Sequence, residues 1–344
     1  MITLHDTMTR STSPLEPIKP GHVDVFVCGP TVYDLPHIGH AKTYTQFDLL
    51  ARFLRFAGYD VTYVQNITDV DDKIIARAKE RGVAPDELAR HFEDEYRRDM
   101  EALGNTSVDT YARAHEHIDE IVSQIERLLD AGVAYRADDG IYYDITRFPH
   151  YGELCGRTHV APGDSLSRVD ENPNKRNPGD FAHWKARKEG DPWWPTPLGE
   201  GRPGWHIEDT AITEHFFGAQ YDIHGGALDL IFPHHEAEIA QMEAISGKRP
   251  LVRHWMHTGF LQISTEKMSK SEGNMVAIRD ALERAPAPVW RYLFLSQHYR
   301  SPLEFSWDRL QPAAASLERI RTYARAAASV AGDPAPATEA AARA

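Results

Sequence analysis

Residues 22 to 28, HVDVFVC, alternate polar and apolar side chains as a strand does, and Gly29-Pro30 ends the run. From about Ala41, the stretch AKTYTQFDLLARFLRFAG sets Phe47, Leu50, Phe53 and Leu54 on one helical face, with Gly58 as its stop. A second strand, DVTYVQN, follows at 60–66. Strand, helix and strand in such close succession form a βαβ unit, which predicts an α/β chain built on a Rossmann-like, doubly wound parallel sheet.

Residues 71–132 carry helical patterns in DDKIIARAKERG, APDELARHFEDEYRRDMEALG and AHEHIDEIVSQIERLLDAG, and VAYRADDGIYYDI reads as strand-rich. The segment 160–203 is rich in Pro, Gly, Asp and Asn and reads as surface loop apart from GDFAHWKARK. The α/β pattern resumes at QYDIHGGALDLIFPHHEAEIAQMEAISG, a strand running into a helix, and WMHTGFLQI reads as a further strand. Helices follow EKMSKSEGNMV to about residue 326, ahead of an Ala/Pro-rich tail. The expected organisation is a first half of the α/β domain over 1–100 and an inserted connective segment over 101–203. The second half of the domain then spans 204–262, a basic loop with helices 263–312, and the start of a C-terminal helical region 313–344.

The 344 residues are 42% hydrophobic, enough for a sizeable core, and no run of 18 apolar residues is present to span a membrane. The N-terminus lacks an apolar signal core, so a cytoplasmic location is expected. A net charge of -13 argues against coating nucleic acid through a uniformly basic surface, although a local basic track for RNA remains compatible with it. Two cysteines, Cys28 and Cys155, make no disulfide framework and read as free thiols or metal ligands. Cys155, in YGELCGR, is assigned to structure.

The turn after the first strand carries His37 and His40 around Ile38-Gly39. In a parallel sheet that crevice binds ligands, and a helix start offers N–H groups to an anion. Two imidazoles there suit a polyphosphate, while the plainer alternative is a pair of ordinary loop histidines. In EKMSKSEGN, Lys267 and Lys270 sit among serines with a following glycine, a basic loop suited to gripping phosphates or else a solvated turn. In FPHHEAEIA, Pro233 suits the first turn of a helix, and His234 and Glu238 are four apart on one face. That pair is half of a zinc site or a simple intrahelical hydrogen bond, and His235 is expected to point elsewhere. Cys28, at the carboxyl edge of the sheet, is the candidate third ligand. The fourth comes from the loop carrying Trp205, His206, Glu208 and Asp209, among which spacing alone leaves the choice open.

HIGH early and KMSKS late on such a frame are the signature words of class I aminoacyl-tRNA synthetases, and both stand unaltered here. With VCGPTVYDLPHIGHAKTY, NITDVDDKI, GRPGWHIED, YDIHGGALDLIFPHHEAEIAQ and HTGFL, the chain resembles cysteinyl-tRNA synthetase from its first residues to about 320. The resemblance implies one Zn2+ per chain, held by Cys28, Asp209, His234 and Glu238, and Mg2+ accompanying ATP. It also implies an amino-acid pocket lined by Gly29, Thr68 and Trp205. Thr68 could instead cap the next helix, and Trp205 could simply pack in the core. By the same resemblance Gly226 and Asp229 bind the adenosine ribose or, for Asp229, the substrate amine. His37, His40, Lys267 and Lys270 are the implied catalytic residues, with Lys270 also contacting ATP. The resemblance also implies that the loop and helices of 263–312 contact the tRNA stem. Most of the family has cysteine where this chain has Asp209, and the WHIEDTAI form resembles an archaeal branch. A carboxylate also ligates zinc but makes the ligand set harder.

The implied reaction joins L-cysteine to ATP as an adenylate and passes it to the 3′ end of cysteine tRNA. The partners are thus ATP, L-cysteine and cysteine tRNA, with no membrane, and a monomer is expected. The rival readings are a cysteine ligase that hands the adenylate to a small amine, as mycothiol ligase does, and a non-enzymatic nucleotide- or RNA-binding paralogue. The family's anticodon-binding region would begin where the sequence stops, so weak tRNA charging is expected of this chain.

Overall fold

The structure, a computed structural model, describes residues 1–157, 172–263, 266–267 and 275–329. A hairpin of β1 (Thr3–Asp6) and β2 (Ser11–Pro14) precedes β3 (His22–Val27). Alternation in β3 predicts one buried face, yet residues 23–27 are all buried. The reason is that layers cover both sides of a parallel sheet. Val23, Val25 and Val27 enter one apolar cluster, whereas Phe26 and Cys28 enter the other.

Helix α1 (Ile38–Phe56) covers the first side. Its buried stripe is Phe47, Ala51 and Leu54. Phe53 is 47% exposed, because at about 100° per residue it lies some 120° round from Phe47. The chain continues through β4 (Asp60–Ile67), α2 (Asp72–Arg81), α3 (Pro85–Leu103) and β5 (Thr110–Arg113) to α4 (Ile118–Asp130). β5 falls inside the stretch expected to be inserted from 101, but it pairs in parallel with β4 as the sheet's edge strand. Four residues with no alternation give too little signal to be read as sheet from sequence.

The excursion proper forms a four-stranded antiparallel sheet of β6 (Ala134–Ala137), β7 (Gly140–Tyr143), β8 (Phe181–Ala186) and β9 (Gly201–Pro203). The chain then returns through α5 (Trp205–Phe217), β10 (Tyr221–Ala227), α6 (Glu236–Ser246) and β11 (Val252–Thr258). The central sheet has the order β11-β10-β3-β4-β5, and every pairing is parallel. The strand order reverses between β3 and β10, and ligands of such sheets bind outside the carboxyl ends of the strands at that point.

WMHTGFLQI is two strands. β12 (Leu261–Ile263) leaves the central sheet at Gly259, whose N–H donates to the Tyr299 carbonyl at 2.8 Å. A β-carbon at Gly259 would lie 2.5 Å from the Ser301 backbone, so this close approach needs glycine. β12 pairs with β13 (Glu266–Lys267) and with β14 (Leu303–Phe305), which follows α7 (Ile278–Arg284) and α8 (Ala287–Leu295). The last described element is α9 (Leu310–Ser329). Among the described residues no helix is long and apolar enough to cross a membrane.

Candidate active site and metal centre

His37 and His40 start α1. The Gly39 N–H donates to His37 Nδ1 at 3.1 Å, and the His37 N–H donates to His40 Nδ1 at 3.3 Å. Both Nδ1 atoms therefore act as acceptors, which places each ring proton on Nε2, a donor suited to phosphate oxygens. The rings stack at 3.8 Å. The turn is also joined to residues just past the basic loop. Ile38 N–H donates to the Val276 carbonyl at 3.0 Å, and Ile278 N–H donates to the Pro36 carbonyl at 3.1 Å. On the loop's near side the backbone of Lys267, in β13, pairs with Gln262 of β12. Lys270 lies outside the described residues.

A cavity of about 490 Å³ opens at the switch point, and Cys28, Gly29, His37, His40, Trp205 and Asp229 are among its lining residues. Cys28 sits at its floor, anchored by an N–H bond to the Gly225 carbonyl across the β3–β10 seam. Because Cys28 belongs to the even-numbered face of β3, it meets α5 and α6 rather than α1. α5 delivers Asp209, whose Oδ2 lies 3.2 Å from Cys28 Sγ and 3.0 Å from His234 Nε2. α6 delivers Glu238, 3.3 Å from His234 Nε2 and 4.0 Å from Cys28 Sγ. One donor atom from each of Cys28, Asp209, His234 and Glu238 falls within 4.8 Å of the others.

These donors fit a metal ion. Ligands about 2.0–2.3 Å from a tetrahedral ion stand about 3.3–3.8 Å apart, close to the separations seen here. Asp209 Oδ1, Glu238 Oε2 and Glu208 Oε2 are buried with no hydrogen-bond partner among the described residues. Burial, then Asp209, pushes the Glu208 and Glu238 carboxyls well up, and burial followed by Asp209 and Glu238 does the same to the Cys28 thiol. Buried acidic groups of this kind need a cation to ionise. One thiolate, one imidazole and two carboxylates suit a borderline divalent ion such as zinc.

His235 departs from the expectation that it points elsewhere. Its Nε2 lies 3.1 Å from Cys28 Sγ, and His224 Nε2, from β10, lies 3.2 Å away. Regular α-helix begins only at Glu236, and Ile231–His235 form a wider turn in which Phe232 is extended (φ -137, ψ 131). Pro233 is thus not in a first α-turn, and the two histidines both face the thiol. Cys28, His224, His235 and Glu238 make a second convergent set of four. Each inner imidazole is held through its other nitrogen: His234 by His206 at 2.8 Å, His235 by His257 at 2.8 Å and His224 by the Tyr221 hydroxyl at 2.6 Å. His257 bonds in turn to the Thr7 hydroxyl at 2.8 Å. Such partners fix ring orientation. Strand periodicity says that His224 and His257 alternate with neighbours but not which face meets the thiol, so they were illegible in the sequence.

The remaining expected residues are distributed unequally. Trp205 opens α5, is 37% exposed at the cavity and stacks on His234 at 4.2 Å, so it is not a core residue. A β-carbon on Gly29 would lie 1.7 Å from the Asn66 carbonyl oxygen, so only glycine brings β3 that close to β4. Thr68 is buried, is not among the cavity-lining residues and donates its hydroxyl to Glu208. Nor does it cap a helix, since Asp71 caps α2. Gly226 packs on His235 and Leu230, 2.9 Å from where its β-carbon would stand, while Asp229 lies at the cavity. Asn66, joined to Gly29, Thr68 and Glu208, is a residue that sequence reasoning missed.

The family model of class I tRNA synthetases (C), catalytic domain, matches residues 14–315. The cysteine-tRNA ligase of Thermoplasma volcanium is 51% identical over 93% of this chain and 70% of its own length. The chain belongs to the cysteine-tRNA ligases, which are class I aminoacyl-tRNA synthetases. The Pyrococcus furiosus ligase is 48% identical over 90% of this chain and 65% of its own, and that of Laribacter hongkongensis is 48% identical over 94% and 70%. The methionyl-tRNA synthetase of Mycobacterium tuberculosis, solved with methionyl-adenylate, shares the fold at a TM-score of 0.67 and 20% identity, covering 85% of this chain and 67% of the other. The Rossmann-like parallel sheet is thus the catalytic domain of the class I synthetase fold.

Proposed function

We propose that this synthetase activates L-cysteine with ATP, in the cytoplasm, and passes the cysteinyl group to the 3′ end of cysteine tRNA. The observation that carries the reading is the convergence of Asp209, His234 and Glu238 on Cys28, which lines a cavity that His37 and His40 also line. Those four side chains would hold zinc. When bound, zinc supplies a preference for the sulfur of cysteine over the oxygen of serine.

The chain's own groups do the rest. Trp205 covers the amino acid, and Gly29 gives it room against β3. Thr68 and Asn66 act from beneath the cavity by fixing Glu208 and Gly29. Asp229 takes the substrate amine or the ribose, and Gly226 lets His235 seat beneath. The cysteine carboxylate attacks the α-phosphorus, and pyrophosphate leaves with its charge met by the Nε2–H donors of His37 and His40 and by Lys267 and Lys270. Mg2+ accompanies ATP.

ATP–pyrophosphate exchange that requires cysteine tests the reading, and equal exchange with serine overturns it. Adding cysteine tRNA or glucosaminyl-inositol to the adenylate-forming enzyme then separates a synthetase from a small-amine ligase.

A further inference from the structure

We propose that His117, Glu120 and His215 form a second metal site, on the surface, for a divalent ion of the zinc, nickel, copper or cobalt type. His117 closes the 3-10 turn Ala114–His117, Glu120 lies in the first turn of α4, and His215 lies in the last turn of α5. His215 Nδ1 stands 3.0 Å from Glu120 Oε1, and His117 Nδ1 stands 3.8 Å from the same oxygen. Donor atoms of all three fall within 4.8 Å of one another. Nitrogen and oxygen ligands about 2.0–2.1 Å from a tetrahedral ion are about 3.3 Å apart, so the two separations bracket the required one.

The second observation is the state of His117. Only 8% exposed, it buries Nδ1 with no hydrogen-bond partner among the described residues, and that atom faces the carboxylate at a distance too long for a hydrogen bond. Leaving a buried imidazole nitrogen unmatched is costly, and a metal would match it. The side chains of Glu120 and His215 are 34% and 47% exposed, leaving a fourth position to water, as in open zinc sites. Two imidazoles and one carboxylate select borderline transition ions over magnesium or calcium. The ion would clamp α4 to the end of α5, the helix whose other end carries Trp205 and Asp209. No ligand is shared with the buried centre.

The test is cobalt and zinc titration of the untagged full chain after its buried centre has been filled, read by equilibrium metal content and visible absorption. The expected result is one further equivalent, with cobalt d–d bands but no added thiolate charge-transfer band, because this ligand set has no sulfur. His215→Ala at an exposed position and Glu120→Gln at a half-buried one should each weaken that equivalent by at least about tenfold. Their double variant should lose it while keeping its circular dichroism and the first equivalent. No further equivalent in the wild-type chain, or one that persists in the double variant, overturns the proposal. A chain whose buried centre never fills would instead count against the proposed function and leave this difference measurable.

Discussion

The N–H of Ile38 donates to the carbonyl of Val276 at 3.0 Å, so the turn bearing the first signature word is joined to the end of the loop bearing the second. A backbone bond of this kind makes the position of the first word relative to the residues just past the second a property of the fold. His40 sits two residues further on, with Nδ1 committed to the His37 N–H. In His40→Asn the side-chain oxygen can still accept that bond, but the distal donor is gone. The expected outcome is a normal melting curve and a fall in cysteine-dependent pyrophosphate exchange of about 10²–10³-fold, the usual loss for one donor to developing charge.

Removing a partner of the buried centre should be felt through the metal. His206→Ala strips His234 of its 2.8 Å partner without removing a ligand. Zinc affinity should fall about 10–100-fold, measured by competition with a chromophoric chelator. Unchanged affinity would mean that His206 does not orient His234.

Trp205 stacks on His234 at 4.2 Å while facing the cavity. Aromatic stacking is worth about 0.5–1.5 kcal/mol, so Trp205→Ala should raise the KM for cysteine by up to about tenfold. The KM for ATP should stay near its wild-type value. Equal rises in both constants would point to a general collapse of the cavity.

Gly29→Ala places a methyl group 1.7 Å from the Asn66 carbonyl oxygen. Since that oxygen is backbone, β3 and β4 must separate at the point where Cys28 is held. Overpacking of this kind costs about 1–3 kcal/mol, visible as a lower midpoint in urea, and exchange activity should fall with it.

Lys42, on α1, is 1% exposed and donates to the Gly259 carbonyl at 2.6 Å. Burial lowers its pKa to about 8 from 10.5. Between those values the unfolded chain binds more protons than the folded one, so Lys42 makes stability rise with pH across about 8 to 10.5. At 1.36 kcal/mol per pKa unit, the rise attributable to this residue is about 3 kcal/mol. Chemical denaturation at pH 7.5 and 10.5, run beside Lys42→Met, isolates it: the wild-type chain should gain relative to the variant. A constant difference between the two proteins would remove Lys42 as the cause.

By itself the sequence determined the βαβ opening, the first signature word at a helix start, and Cys28, His234 and Glu238 as candidate donors, because local periodicity and spacing encode local conformation. Tertiary structure alone decided that the even face of β3 carries Cys28 toward α5 and α6, that β5 completes the sheet, and that one apparent strand divides at Gly259. It also turned His235 and His224 onto the thiol and withdrew Thr68 beneath the cavity. Each of these rests on which face or strand meets which neighbour. Period-two and period-3.6 patterns leave that choice open, and it is fixed only when residues some 200 positions apart, such as Cys28 and Gly225, share a hydrogen bond.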